Sequence, residues 1–229
     1  AKLDQLLGRF NEAERGFQQA ASITERKYGA QSLQMATVLN NQAMLQLAMG
    51  RKDEAVTLME KASAVAAAEF GSALKGKKSF ENRMFLSNLA LVYQFTGKFT
   101  EAGKTFTEIR TIYEKRKQTN NPEYANVLNQ LAVLYMQTDQ EAAAEPLLNS
   151  AAEIYRKKFT EQSPAYARVL HDLAILYRNT GRLPQAETTG SKALDIRRQV
   201  LGETHPDYAR TLEQLGITRW QAGNIDGAY

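Results

Sequence analysis

One sequence segment recurs along the chain at a fixed interval of 42 residues. Residues 124–135 read YANVLNQLAVLY, residues 166–177 read YARVLHDLAILY, and residues 208–219 read YARTLEQLGITR. Alanines keep the same interval, apart from one gap of 47 residues: Ala13, Ala55, Ala102, Ala144, Ala186 and Ala228. The five extra residues fall in the Gly/Lys/Ser-rich segment 71–80, which is typical of a lengthened loop. The pattern predicts stacked copies of one small unit without a single central core.

Each copy predicts two helices joined by a tight turn. In the fifth copy the apolar residues follow the i, i+3, i+4, i+7 spacing of one helix face: Leu170, Leu173, Ala174 and Tyr177. A residue suited to the left-handed backbone conformation then ends the first helix. That slot holds Gly50, Gly97, Asp139, Gly181 and Gly223 in successive copies. The apolar face of the second helix is clearest in the fourth copy, as Ala144, Leu148, Ala151 and Tyr155.

His205, one of two histidines, lies at a boundary between copies. It precedes Pro206, and proline is favoured at the first position of a helix. Aligned positions in the other copies hold good helix N-caps, so we expect first helices to begin near Ser32, Ser79, Asn121, Ser163 and His205. The spacing favours a capping role for His205 over a catalytic or metal-binding one.

The pattern L-A-x-L-Y, a Gly turn, A-E and then LGETHPDYA resembles the tetratricopeptide repeat (TPR). More narrowly, it is similar to the 42-residue type of kinesin light chains, and the resemblance covers the whole chain. It implies an all-α, right-handed superhelix of about ten helices, a TPR solenoid. The single array at 1–229 then has its repeats at 1–31 (partial), 32–78, 79–120, 121–162, 163–204 and 205–229 (partial). Both ends fall inside a repeat, so we expect a fragment of a longer protein.

Some positions depart from the pattern. Gln42 and Gln46 replace apolar residues of the second copy, and Arg219 replaces the tyrosine of the last. Gly190 stands where other copies have a large apolar residue: Phe17, Met59, Phe106 and Leu148. If Gly190 is only an eroded packing position, Gly190→Ala stabilises the chain through helix propensity. If the glycine admits a neighbouring side chain or a ligand, the same change is neutral or harmful.

Several classes of function are disfavoured. The chain has no cysteine, no visible signal peptide and no apolar run of membrane-spanning length, so we predict a cytoplasmic protein without membrane association. Exported proteins can also lack cysteine, so export stays open. Phosphate-loop and HExxH motifs are absent. His171-Asp172 resembles the metal-binding pair of phosphohydrolases, but the further histidines of such sites are missing. We therefore predict no enzymatic activity, no cofactor and no metal.

Basic clusters fall late in several second helices: Arg26-Lys27, Lys115-Arg116-Lys117, Arg156-Lys157-Lys158 and Arg197-Arg198. Cations at a helix C-terminus complement the helix dipole. We interpret these clusters as a solvated outer rim and predict no nucleic-acid partner. RNA binding is the weaker alternative, because it calls for regularly repeated base-reading side chains.

One face of the first helices is the predicted binding surface. In the fifth copy Arg168, His171, Ile175 and Arg178 are spaced 3, 4 and 3 apart, opposite the packed stripe. The resemblance implies that this face lines the concave groove of the array, and we name it the inner face. Its predicted binding residues are Asn40, Met44, Leu91, Asn126, Asn129, Val133, Arg168, His171, Ile175, Arg178 and Arg210. Ordinary packing between helices is the alternative for its apolar members.

The predicted function is a protein–protein interaction scaffold that binds an acidic peptide or partner segment. Asparagine amides pair with backbone groups, and guanidinium groups hold carboxylates. Protonation of His171 below about pH 6.5 is expected to strengthen such a site. The alternative is a regulatory or targeting TPR segment of a larger enzyme or signalling protein, with inner-face contacts made inside that protein.

Overall fold

The computed structural model describes residues 8–70 and 79–224 of the chain. These residues form ten α-helices: α1 (Phe10–Tyr28), α2 (Leu33–Ala48), α3 (Lys52–Phe70), α4 (Ser79–Phe95), α5 (Phe99–Lys115), α6 (Pro122–Gln137), α7 (Glu141–Phe159), α8 (Pro164–Asn179), α9 (Leu183–Leu201) and α10 (Pro206–Gln221). Within the described ranges, none of these helices has the length and hydropathy needed to cross a membrane.

The chain divides into an N-terminal unit (Ala1–Ile112) and a C-terminal unit (Tyr113–Tyr229). In the N-terminal unit, α1 packs on α2, α2 on α3 and α3 on α4, and α2 also contacts α4. In the C-terminal unit, α6 to α10 do the same, and α8 contacts both α6 and α10. First helices of successive repeats therefore lie side by side, as stacking of incomplete units demands. The predicted all-α solenoid of about ten helices is confirmed.

The predicted helix starts are confirmed, and a side-chain cap is seen at four of them. Ser32 Oγ accepts a hydrogen bond from the backbone N–H of Met35 at 3.2 Å. Asn121 and Ser163 cap α6 and α8 in the same way. His205 Nδ1 accepts the backbone N–H of Asp207 at 3.1 Å. The structure therefore shows His205 to be a helix cap, as its alignment with serine and asparagine predicts.

The alanines that mark each second helix are completely buried. Their exposed fraction is 0% at Ala13, Ala55, Ala102, Ala144 and Ala186. Helix axes approach most closely where the side chains between them are small. These alanines therefore set the close spacing between a second helix and the first helices on which it packs.

Gly190 in α9 admits a neighbouring side chain. A Cβ atom added there would lie 2.9 Å from Cδ2 and 3.2 Å from Cγ of Leu215, a residue of α10 that is 2% exposed. Overpacking a core typically costs about 1–3 kcal/mol, whereas alanine gains only about 1 kcal/mol of helix propensity over glycine. The structure supports the second alternative, in which the glycine admits a neighbouring side chain, and the effect of Gly190→Ala on stability stays a prediction.

The turn after α6 has an ordinary residue in the left-handed region. Asp139 has a φ of 56°, and the same slot one repeat later is Gly181, with a φ of 76°. A side chain at positive φ brings Cβ close to the following carbonyl oxygen, and glycine avoids that contact.

Asp139→Gly is therefore expected to raise the free energy of unfolding by about 0.5–1 kcal/mol, measured by urea denaturation. The matched control is the reverse exchange one repeat later, Gly181→Asp, which should lower stability by a similar amount. A loss of stability in Asp139→Gly would show that the aspartate side chain, and not the backbone, sets this turn.

Candidate functional site

The predicted inner-face residues of the N-terminal unit differ in accessibility. Asn40 in α2 is 8% exposed, and its Oδ1 accepts a hydrogen bond from Asn88 Nδ2 of α4 at 2.7 Å. Leu91 in α4 is half-buried, and Met44 in α2 is 36% exposed. Asn40 therefore joins two neighbouring first helices, while Met44 remains accessible.

In the C-terminal unit, the inner-face residues of α6 and α8 form cross-repeat hydrogen bonds. Arg168 Nη2 donates to Asn126 Oδ1 at 2.8 Å and to the hydroxyl of Tyr155 at 3.3 Å. Asn129 Nδ2 donates to Asp172 Oδ2 at 2.8 Å. Val133 is half-buried on the same helix as the two asparagines. The structure brings these predicted residues together, with Tyr155 and Asp172 as their hydrogen-bond partners.

Two polar atoms of this cluster lack a hydrogen-bond partner. Asn129 is 2% exposed, yet its Oδ1 accepts no hydrogen bond, and the buried Nε of Arg168 has no acceptor. A buried polar atom left unpaired typically costs about 1–3 kcal/mol. The cluster thus retains one unused acceptor and one unused donor.

His171 does not form the predicted pH-sensitive contact. It is 5% exposed, and its Nδ1 lies 3.2 Å from Thr211 Oγ1. Burial, followed by the positive charges of Arg197 and Arg210, lowers the pKa of His171 to about 4. The imidazole is neutral throughout the physiological range. The prediction that protonation of His171 below about pH 6.5 strengthens the site is therefore wrong. The spacing of residues along α8 indicates which face of the helix holds His171, but it does not indicate that Thr211 of α10 packs on that face.

Arg197 is a buried residue of this region that sequence reasoning assigned to the solvated rim. It is 3% exposed; its Nη1 donates to the carbonyl oxygen of Asp207 at 2.7 Å and also to Thr211 Oγ1. Burial lowers the pKa of this guanidinium. The rim interpretation is wrong for Arg197, whereas the neighbouring Arg198 is exposed and pairs with Glu203. The alignment of the repeats could have predicted this burial, since Arg197 occupies the position of the buried Tyr155 one repeat earlier.

The arginines around His171 are poorly neutralised. Across the described residues, Arg168, Arg178 and Arg197 form no ion pair with a carboxylate. Arg178 donates to Gln214 Oε1 and, at 3.5 Å, to Asn179 Oδ1, and burial lowers its pKa. Other arginines do have such partners; for example, Arg182 binds Glu145 and Arg219 binds Glu187. Arg210 pairs with Asp207 at 3.3 Å, but its side chain is 62% exposed.

Asp172 is a carboxylate on which the charges of Arg168, Arg197 and Arg210 act. Burial raises its pKa to about 6, against the opposing effects of the Asn129 hydrogen bond and of Arg168, Arg197 and Arg210. Desolvation of the ionised carboxylate therefore outweighs its attraction to the arginines. The region keeps a surplus of positive charge that Asp172 neutralises only in part.

A small cleft lies in the C-terminal unit where α8, α9 and α10 meet. It is narrow and leaves little free space between the side chains. Its walls include Ala174, Ile175 and Leu215, with His171 and Arg178 also lining it. Three predicted inner-face residues, His171, Ile175 and Arg178, thus surround one cavity. In the described residues, no cluster of three or more His, Asp or Glu side chains is arranged to hold a metal ion.

Asp172→Asn is expected to raise the free energy of unfolding near neutral pH by about 1–3 kcal/mol. The folded-state pKa of about 6 exceeds the ordinary 3.8, so the folded state takes up a proton before the unfolded state as pH falls. Wild type therefore recovers stability below pH 6, and the advantage of the variant should vanish near about pH 4. Urea denaturation across this range measures the difference, and an advantage that persists at acid pH would contradict it.

His171→Asn supplies the complementary measurement, since Asn129 occupies the aligned position one repeat earlier. Here the folded-state pKa of about 4 lies below the ordinary 6.5, so the unfolded state binds the proton first. Wild type loses stability from this histidine as pH falls from 6.5 to 4, and the variant should not. The two substitutions are thus expected to change the pH dependence in opposite directions.

Known proteins share the repeat pattern of this chain. The tetratricopeptide repeat family model matches residues 1–68, 82–157 and 165–228. No curated protein matches the chain.

Solved structures share the fold at low sequence identity. BtubC (BKLC) from P. vanneervenii has a TM-score of 0.77 and 22% identity, covering 97% of this chain and 86% of its own. A putative kinesin light chain with TPR-like repeats from Podosopora anserina has a TM-score of 0.70 and 22% identity, covering 86% and 91%. The APC/C hetero-tetramer Cut9-Hcn1 has a TM-score of 0.65 and 14% identity, covering 94% and 35%. Since the family model matches most of the sequence, the chain belongs to the tetratricopeptide repeat family.

Proposed function

We propose that the chain is a protein-interaction scaffold whose inner face binds an acidic peptide or an acidic segment of a partner protein. The observation that carries the proposal is the set of three arginines without a carboxylate partner in the described residues: Arg168, Arg178 and Arg197. Membership of the tetratricopeptide repeat family supports the scaffold role in general terms. One structural neighbour, Cut9, is crystallised in an assembly with Hcn1, which agrees with that role.

Arg168 and Arg178 are the residues best suited to hold the acidic groups. Both are only partly buried, and both now donate to neutral oxygens of Asn126, Tyr155 and Gln214. A hydrogen bond to a carboxylate is roughly twice as strong as one to a neutral acceptor. An incoming carboxylate therefore replaces a weaker acceptor with a stronger one and neutralises a partly desolvated charge.

Replacing Arg168 and Arg178 together with alanine is expected to weaken binding of an acidic peptide about tenfold or more, because each charge-assisted hydrogen bond contributes about 1.5–3 kcal/mol. Peptides are first selected on the wild-type chain from a random display library. Calorimetry at physiological salt then compares the two proteins, with circular dichroism to confirm folding.

The matched control is the double change of Arg156 and Arg182 to alanine. It removes the same charge, but these arginines already pair with Glu153 and Glu145. This control should bind the selected peptides as wild type does. Selected peptides without an excess of Asp and Glu, or equal losses in both double variants, would refute inner-face recognition of acidic ligands.

A further inference from the structure

The carboxylate of Asp172 lies next to Arg168 without forming an ion pair with it. Arg168 is four residues earlier on α8, which is about one helical turn or 6 Å along the helix axis. Its guanidinium nevertheless donates to Asn126 of α6 and to Tyr155 of α7. The half-buried Asp172 accepts one hydrogen bond instead, from Asn129 Nδ2 at 2.8 Å. Neutral groups thus hold the two charges apart on the same helix.

The contact between Asp172 and Asn129 is complete only when Asp172 is protonated. Asn129 is 2% exposed, and its amide oxygen Oδ1 has no hydrogen-bond donor. An ionised carboxylate cannot supply one, whereas a carboxylic acid carries an O–H that donates. A primary amide and a carboxylic acid can pair through two hydrogen bonds, one in each direction. Protonation of Asp172 therefore supplies the donor that the buried Asn129 oxygen lacks.

The groups whose charges act on Asp172 and its neighbours come from every helix packed on this part of α8. They are Glu123 of α6, Tyr155 of α7, Arg168, His171 and Arg178 of α8, Arg197 of α9, and Asp207 and Arg210 of α10. Burial raises the pKa of Asp172 to about 6, lowers that of His171 to about 4 and raises that of Tyr155 above its ordinary value. Between about pH 5 and 8, Asp172 changes charge while His171 stays neutral and Tyr155 stays protonated.

A ligand carboxylate held by Arg168 places a second negative charge close to Asp172. Like charges at short range disfavour each other's ionised form. Arg178 lies six residues beyond Asp172, about 9 Å along the helix axis, so an acid bound there is further away. The repulsion is therefore strongest for an acid bound at Arg168.

We propose that Asp172 regulates the affinity of the inner face for acidic segments: its ionised form opposes a ligand acid at Arg168, and its protonated form does not. The inference rests on the proposed binding of acidic segments and adds the residue that makes this binding depend on pH. Because the coupling is reciprocal, a bound acid also favours protonated Asp172. Binding near neutral pH is thus accompanied by uptake of a proton from solvent at this carboxyl group.

The direction of the pH dependence follows from the two protonation equilibria. The nearby acid raises the pKa of Asp172 in the complex above its value of about 6 in the free protein. As pH falls from about 8, the complex binds the proton first, so affinity rises and then levels off below about pH 6. We expect a total increase of about fivefold, the lower end of typical coupling between two sites, because salt screens these partly exposed charges.

The probe is a capped hexapeptide that alternates cysteic acid with alanine, because its sulfonate groups stay ionised at every pH used. Its neutral counterpart has asparagine in place of cysteic acid. NMR titrations at pH values from about 5 to 8 give the dissociation constant of each peptide. The carboxyl carbon resonance of Asp172 reports its own protonation, and its midpoint should rise by about 0.7 pH unit when the sulfonate peptide is bound, which is the same fivefold coupling.

Three variants assign the effect to its residues. Asp172→Asn imitates the protonated form, so at pH 8 it should bind the sulfonate peptide as tightly as wild type does at pH 5, without pH dependence. Glu161→Gln is the matched control, since it removes the same charge from a carboxylate that pairs with Lys192, and it should keep the wild-type pH dependence. Arg168→Gln should bind more weakly and lose the pH dependence. Thermal melts at each pH confirm that every protein is folded during the titration.

The outcomes distinguish this inference from the proposed function on which it rests. A sulfonate peptide that binds wild type equally at every pH, or an undiminished pH dependence in Asp172→Asn, would overturn regulation by Asp172 and leave acidic recognition standing. Equal affinity for the sulfonate and asparagine peptides, or no binding of either, would instead refute acidic recognition and the regulation together.

Discussion

Stacking is the constraint on which this fold depends, because a single pair of helices is too small to bury its apolar face. The alanine near the start of each second helix makes stacking possible. At 0% exposure from Ala13 to Ala186, it leaves no room for a larger side chain. Within each unit, first helices of successive repeats therefore contact one another as well as the second helix between them.

Stacking also determines the contacts of polar side chains, because a polar group that faces a neighbouring repeat needs a hydrogen-bond partner there. Asn40 pairs with Asn88, and two repeats further along the chain Asn129 pairs with Asp172 in the equivalent positions. A second recurring contact joins the glutamate that follows the buried alanine of one repeat to the arginine that follows the turn glycine of the next repeat. Examples are Glu145 with Arg182 and Glu14 with Arg51. These pairs are partly exposed, so each adds at most about 1 kcal/mol. Their contribution is to the register between repeats more than to total stability.

Features set by backbone geometry could be predicted from the sequence. Caps such as His205 and left-handed turn residues such as Asp139 follow from their slots, whatever the side chains around them. The environment of inner-face residues could not be predicted in this way, because it depends on which side chains of two other helices meet at one level. His171 is buried under Thr211, and Arg197 reaches the same hydroxyl from α9. Helical periodicity describes one helix, whereas burial here is decided by three.

The last complete repeat, residues 163–204, shows that stacking alone does not require the charges found there. Arg197 occupies the position held by Tyr155 and Tyr113 in earlier repeats, where an aromatic ring is buried without any net charge. A guanidinium in that position is desolvated, and burial lowers its pKa. A buried cation lacking a carboxylate partner is less favourable than a well-packed apolar side chain of similar size. The C-terminal unit thus carries positive charge that its packing does not need, at the same end of the chain where Gly190 and Thr218 leave a cleft unfilled. Both features weaken the repeat as a packing unit.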